Sequence, residues 1–179
     1  MLKGENIYLR PFIESDAEPL LQLQLNNKGF FDQYSMNRPN DYYTIDYQKN
    51  LIKKWERYAK EDSEYQFGIF LTSIQELIGT INLFQVFRGS LQSAFIGYFL
   101  DKNHNGNGYT SEAVKLIVDY AFETLDLHRI EAGVMPHNIG SIRVLEKNGF
   151  HKEGMARKNV KINGLWEDHQ VLAIINPND

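Results

Sequence analysis

The chain of 179 residues contains no cysteine. That removes disulfides, thiolate metal sites and cysteine nucleophiles in one step. Its five histidines, His104, His128, His137, His151 and His169, show no metal-ligand spacing, so no metal is expected and they read as surface or hydrogen-bonded residues. A basic excess is also missing: 19 Lys and Arg face 23 Asp and Glu, for a formal charge of -4. With no basic stripe either, direct nucleic-acid binding is not expected. A mildly acidic chain is compatible with a cationic substrate. No apolar run approaches the length of a membrane span. The opening "MLKGENIYLRPF" carries Lys3 and Glu5 and lacks an apolar h-region, so it is not read as a signal peptide. The expectation is a soluble cytoplasmic protein, monomer or homodimer, with no membrane partner. There are no repeats, low-complexity tracts or linkers, and the length suits one domain, 1–179, with its own core.

The patterning is α+β or α/β around a mixed sheet. "NIYLRPF" alternates apolar and polar residues up to Pro11 and predicts a strand. "ESDAEPLLQLQLNN" predicts a helix, with Ser15 or Asp16 as N-cap and Leu20, Leu21, Leu23 and Leu25 crowding one side. Asn26 to Asn40 reads as irregular. Its aromatic residues Phe30, Phe31 and Tyr34 either line a binding surface or cover the core. "TIDYQKNLIKKWERYAKED" is a second helix. "YQFGIFLTS", "LIGTINLFQVF" and "SAFIGYFLD" are three strands at short spacing, hence an antiparallel meander. A third helix carries Ala113, Val114, Ile117, Val118, Ala121 and Leu125 on one face. "RIEAGVMP" is a strand, "NIGSIRVLEKNGF" a short helix with Asn138 as N-cap and Gly149 past its end, and "VLAIIN" a terminal strand.

Between the third strand of the meander and the third helix lies Asn103-His104-Asn105-Gly106-Asn107-Gly108. A helix start leaves N–H groups without partners at the positive end of the dipole, which together make an anion site suited to phosphate. Gly106 and Gly108 lack Cβ atoms, so an anion can sit against the peptide. Asparagines at 103, 105 and 107 tolerate left-handed geometry and fit a nest of N–H groups. Gly108 is followed by Tyr109, which excludes a P-loop, and the third position of a Rossmann fingerprint is Ser111. By itself the turn is also compatible with a plain glycine loop.

Strand–GxG–helix followed by strand–Asn-x-x-Ser–helix–"NGF" resembles the GCN5-related N-acetyltransferases. The stretches "IYLRPFIESDAE", "VFRGSLQSAFIGYFL", "GNGYTSEAV", "HRIEAGVMPHN", "GFHKEGMAR" and "INGLWEDH" look like the branch of that family acting on ribosomal-protein alanines. The resemblance runs over nearly the whole chain. It implies a mixed, mostly antiparallel sheet splayed between its fourth and fifth strands, here Ser93–Asp101 and Arg129–Met135, flanked by helices, with acetyl-coenzyme A in the gap. The backbone near Tyr98, Phe99 and Leu100 would pair with the pantetheine amides as an added strand. The N–H groups from His104 through Asn105, Gly106, Asn107, Gly108 and Tyr109 to Thr110 would hold the pyrophosphate. Asn103 stands where the family usually has Arg or Gln. Asn138 and Ser141 would bind the coenzyme. Ser141 would also donate a proton to the departing thiolate, because the tyrosine that many members place four residues later is Leu145 here.

The implied reaction is direct acyl transfer from thioester to amine without a metal, with a backbone N–H from Tyr98–Leu100 meeting the oxyanion. A protein N-terminus has a pKa of about 8, so roughly a tenth is neutral at pH 7, against about one part in a few thousand for lysine. An N-terminal acceptor therefore asks little of a base. Some members carry a strand glutamate before the Gly-Tyr; Phe95-Ile96 occupy that place, which leaves Asp168 and Glu167 of "GLWEDH" as candidates. Phe31, Tyr34 and Trp166 are the expected acceptor contacts. Three functions stay open: an acetyltransferase acting on a protein or peptide N-terminus, one acting on a small amine through Asp32, Asp41 or Asp46, and a non-catalytic acyl-coenzyme A binding module.

Overall fold

Alternating apolar residues organise the sheet, and helical stripes cover it. The computed structural model describes all residues from Met1 to Asp179. The chain opens with β1 (Leu2–Lys3) and β2 (Ile7–Pro11), then α1 (Ala17–Asn26), α2 (Lys28–Asp32) and α3 (Ile45–Lys60). The expected meander follows as β3 (Tyr65–Leu71), β4 (Leu77–Phe87) and β5 (Ser93–Leu100). Next come α4 (Tyr109–Glu123), β6 (Arg129–Val134), α5 (Ile139–Lys147), β7 (His151–Ile162) and β8 (Leu165–Ile175). All eight strands form one sheet in the order β1-β2-β3-β4-β5-β6-β8-β7. Every neighbouring pair is antiparallel except β5–β6. A parallel pair needs a crossover, and α4 is that crossover.

The β5–β6 register holds only from Ser93↔Arg129 to Phe95↔Glu131. Beyond it β5 continues to Leu100 and β6 to Val134 without pairing to each other, so the sheet opens. The expected splay between Ser93–Asp101 and Arg129–Met135 is therefore present; with the two-residue β1 counted, these are the fifth and sixth strands.

Side chains alternate across the sheet, and the two faces have separate cores. On one face Ile96, Leu100, Ile130, Ala132 and Val134 pack with α4 and α5 through Ala113, Val114, Ile117, Ile142 and Leu145. On the other, Phe99 meets Phe31 at 5.0 Å between ring centroids, beside Phe12, which follows β2, and Ala17, Leu20, Leu23 and Ile52 from α1 and α3. Burying each such aliphatic or aromatic side chain is worth about 1.5–3 kcal/mol, so both faces hold their helices firmly.

Some local features differ from the sequence expectations. The irregular 26–40 stretch contains the short helix α2. Asp16 sits at the start of α1 but caps nothing there; its carboxylate grips Arg10 at 2.8 and 2.9 Å and accepts from the Ile13 N–H at 2.8 Å. The polar run His151–Ile162 is a full strand, although nearly every residue of it is exposed. Such a strand shows no inward alternation to read.

One buried side chain ties the α1–α2 junction to the glycine turn. Asn27 is 1% exposed; its Oδ1 accepts from Lys102 N at 2.9 Å while its Nδ2 donates to Leu23 O at 3.0 Å. Asn27→Ala leaves buried polar groups unpaired, and the expected loss is about 1–3 kcal/mol of unfolding free energy. Denaturant unfolding with an unchanged m-value measures it; a variant as stable as the parent would contradict this role.

Candidate active site

The glycine turn is built by short polar side chains. Asp101 accepts from Asn103 N at 3.2 Å and meets His104 Nδ1 at 3.1 Å. Asn107 Nδ2 donates to His104 O at 3.2 Å. Gly106 and Gly108 have φ of +86° and +80°, a region that side-chain-bearing residues rarely enter. A Cβ placed on either would meet no protein atom. The backbone conformation, not crowding, requires glycine here, and the space above it stays open. The asparagines do not share this conformation: none lies at positive φ, and Asn105 is extended. The expected left-handed nest is thus carried by the glycines alone.

Gly108 has no side chain with which to cap α4. Helices α3 and α5 are capped by Thr44 and Asn138, which accept from Tyr47 N and Ser141 N. The first N–H groups of α4 have no such acceptor and keep their anion-binding capacity. The one acid in that first turn, Glu112, is turned away: its carboxylate accepts from Asn6 N at 2.8 Å and Ile7 N at 3.3 Å. An uncapped fifteen-residue helix behind two left-handed glycines suits a pyrophosphate, and Asn103, His104, Asn105, Tyr109 and Thr110 lie along it.

The opening between β5 and β6 leads into a cavity of about 150 Å³. The cavity reaches both faces of the sheet. From the α4–α5 face it is lined by Tyr98, Val134, Ser141 and Leu145, with Asn138 at the head of α5; from the opposite face by Phe99, Gly133, Tyr34 and His169. The Tyr98 hydroxyl lies 2.6 Å from Ser141 Oγ. Burial pushes the Tyr98 phenol up to about 12, although the hydrogen bond to Ser141 pulls the other way. It stays a neutral hydroxyl throughout the neutral range. Leu145 is fully buried and offers no proton, so the phenol beside Ser141 comes from the strand across the gap.

The structure brings together Tyr98, Phe99, Asn138, Ser141 and Tyr34 around the cavity, while Leu100 continues the unpaired part of β5. Tyr34 stacks on His137 at 5.9 Å. Of the residues expected at the acceptor or as the base, Phe31, Trp166, Asp168 and Glu167 fall outside the lining. Phe31 is 1% exposed and belongs to the core behind Phe99. Trp166 is 59% exposed near the β7–β8 turn. Asp168 accepts from Lys158 N at 2.8 Å and so holds the β7 bulge, where Lys158 has φ +47°. Sequence reasoning missed the Tyr98 side chain and His169. The signal for Tyr98 was present: strand alternation puts it on the face of Ile96 and Leu100, toward α5. His169 carried no local signal beyond its place in "EDH".

A family model described as an acetyltransferase (GNAT) domain matches residues 6–151. The chain is 64% identical over 179 residues, all of this chain and 99% of the other, to the probable N-acetyltransferase YjcK of Bacillus subtilis. It is 32% identical over 177 residues, 98% of this chain and 91% of the other, to the ribosomal protein uS5-alanine N-acetyltransferase of Escherichia coli. Among solved structures, Mycobacterium smegmatis RimJ in complex with CoA-disulfide superposes with a TM-score of 0.91 at 27% identity, covering 96% of this chain and 83% of that one. The glycine turn, the uncapped helix and the open strand edge fit the coenzyme those proteins use. The chain belongs to the GCN5-related N-acetyltransferase (GNAT) family, enzymes that take their acetyl group from acetyl-coenzyme A.

Proposed function

We propose that the acceptor is the N-terminal amine of a protein, with Ala or Ser first, and that a ribosomal protein is the substrate class. The observation that carries this reading is the absence of any carboxylate among the residues lining the cavity. A polyamine or aminoglycoside holds several cationic amines, which need counter-charges in a closed pocket. The three aspartates that would have supplied them are elsewhere. Asp32 lies 3.7 Å from Lys28 and 3.8 Å from Arg38, while Asp41 and Asp46 are exposed. A single α-amine, already partly neutral at pH 7, suits an apolar slot. The relatives whose names specify a ribosomal-protein alanine support the same choice.

In this reading acetyl-coenzyme A supplies the activated acetyl thioester. The N–H groups from His104 to Thr110 hold its pyrophosphate, and the unpaired edge Gly97–Leu100 pairs with its amides. With the Tyr98 phenol as donor to Ser141 Oγ, one of the two directions their 2.6 Å contact allows, the serine proton is free to meet the thioester sulfur, where negative charge grows as the acyl group leaves. Asn138 sets the first turn of α5 and with it the position of Ser141.

The test of function is thiol release with acetyl-coenzyme A over two acceptor panels. Peptides beginning with Ala or Ser are expected to turn over, and to stop when their N-terminus is blocked. Turnover on polyamines or aminoglycosides alone would overturn the reading. Gly108→Val forces a Cβ into the space above the turn and strains its backbone; coenzyme A affinity, read by calorimetry, is expected to fall at least about tenfold, or about 1.4 kcal/mol. Undiminished binding would contradict the pyrophosphate assignment. Ser141→Ala is expected to lower kcat about tenfold or more with little change in coenzyme affinity. Tyr98→Phe should lower kcat less, and the double variant should be no worse than Ser141→Ala, because the two hydroxyls act as a unit. Additive losses would show that they act separately.

A further inference from the structure

The proton lost by the attacking amine has no acceptor in the residues discussed so far. Glutamate is missing from β5 at Phe95-Ile96, and Asp168 is spent on the β7 bulge. We propose that His169 is the general base, receiving that proton at Nε2; this rests on the acetyl-transfer reading above.

Three observations place it there. First, His169 is 6% exposed and yet lines the cavity, so it is shielded from bulk solvent but not from the cavity. Second, it lies on the acceptor face. A Cβ added to Gly133 would touch the His169 ring and Cβ at 3.7–3.9 Å. Gly133 alternates with Ala132 and Val134, which face α5. Ser141 and Tyr98 therefore approach the gap from one face and His169 from the other. The incoming amine and the leaving sulfur at one carbonyl carbon can therefore be served by different side chains from different directions. Third, its tautomer is fixed. Nδ1 has two oxygen neighbours, Asn159 Oδ1 at 2.9 Å and the Glu167 carbonyl at 3.1 Å. A carbonyl can only accept, whichever way the Asn159 amide is turned, so Nδ1 carries the hydrogen and Nε2 keeps its lone pair. A base held by an acceptor on its far nitrogen is a recurring catalytic unit.

The step balances without a further reagent. The neutral amine nitrogen forms a bond to the acetyl carbon, and the carbon–sulfur bond breaks. One amine proton passes to Nε2, and the bonding pair leaves on sulfur. The thiolate is held by the Ser141 hydroxyl and is then protonated from solvent, while Nε2 returns its proton to solvent. The titratable groups around His169 leave it free for this role. Tyr34 and His137 stack on each other across the cavity. On β6, Glu131 is held by Arg129 at 2.7 Å, and on β8 Glu167 presents its carbonyl rather than its carboxylate to the ring. Arg157 and Lys158 of the bulge are exposed.

His169→Gln is the test, assayed with an Ala-starting peptide and with a simple alkylamine. An α-amine titrates at about 8. With the amine and the base both required neutral, log(kcat/KM) of the parent is expected to rise with a limiting slope of about two on the acid side. In the variant the slope is expected to fall to about one, with kcat about a hundredfold lower at pH 7 and coenzyme A affinity within twofold. An unchanged slope, or a loss confined to affinity, overturns the proposal. A parent that acetylates the alkylamine but no peptide sinks the N-terminal reading while the His169 comparison is still read on the alkylamine. Should the variant not fold, nitrogen-15 NMR of the parent decides: an Nδ1–H tautomer with a titrating Nε2 supports the assignment, and an Nε2–H tautomer overturns it.

Discussion

The structure depends on two parallel strands that start together and then part. β5 and β6 pair for three residues, from Ser93↔Arg129 to Phe95↔Glu131, and then diverge. Each can do so because its other edge is fully held: β5 by β4 from Gly79↔Leu100 to Phe87↔Ser93, and β6 by β8 along its whole length. The helices lock the divergence, with α4 crossing over from one strand to the next and α5 following β6. A buried sheet edge normally costs free energy through unpaired N–H and C=O groups. Under the proposed function that edge is the recognition surface, and a ligand rich in amides can complete the sheet as a further strand.

The opening also makes the protein two-sided. Period-two alternation sends Tyr98 toward α5 and Ser141, and sends Phe99 and Gly133 toward α2 and His169. A group seated between the strands can be approached from both directions at once. The side toward α5 is polar, with the Tyr98–Ser141 pair. The side toward α2 is largely aromatic, with Tyr34 stacked on His137 and Phe99 backed by Phe31. The glycine turn follows directly on the end of β5 and is tied to the end of α1 by Asn27.

Much of this was legible in the sequence. The meander, the α4 and α5 stripes, the Asn138 cap and the glycine turn all rest on local patterns, and local patterns decide local structure. The β7 strand was not legible, because an exposed edge has no buried face to alternate with. Residue type without environment could not locate several side chains. Phe31 is aromatic in a loop-like stretch but is core, Trp166 is aromatic but points to solvent, and Asp168 is an acid in the right motif but secures a bulge. The role of Tyr98 follows from a contact with Ser141, 43 residues away, and that of His169 from contacts with β6 and β7. No window of the chain contains those pairs.

The most direct measurement of the central claim is amide hydrogen exchange with and without coenzyme A. If the open edge of β5 is the missing-strand site, protection should rise in two separate stretches, Gly97–Leu100 and His104–Thr110, with little change along the β3–β4 ladder. Protection confined to the glycine turn, with the β5 edge exchanging as before, would contradict the claim that the gap in the sheet is completed by the coenzyme.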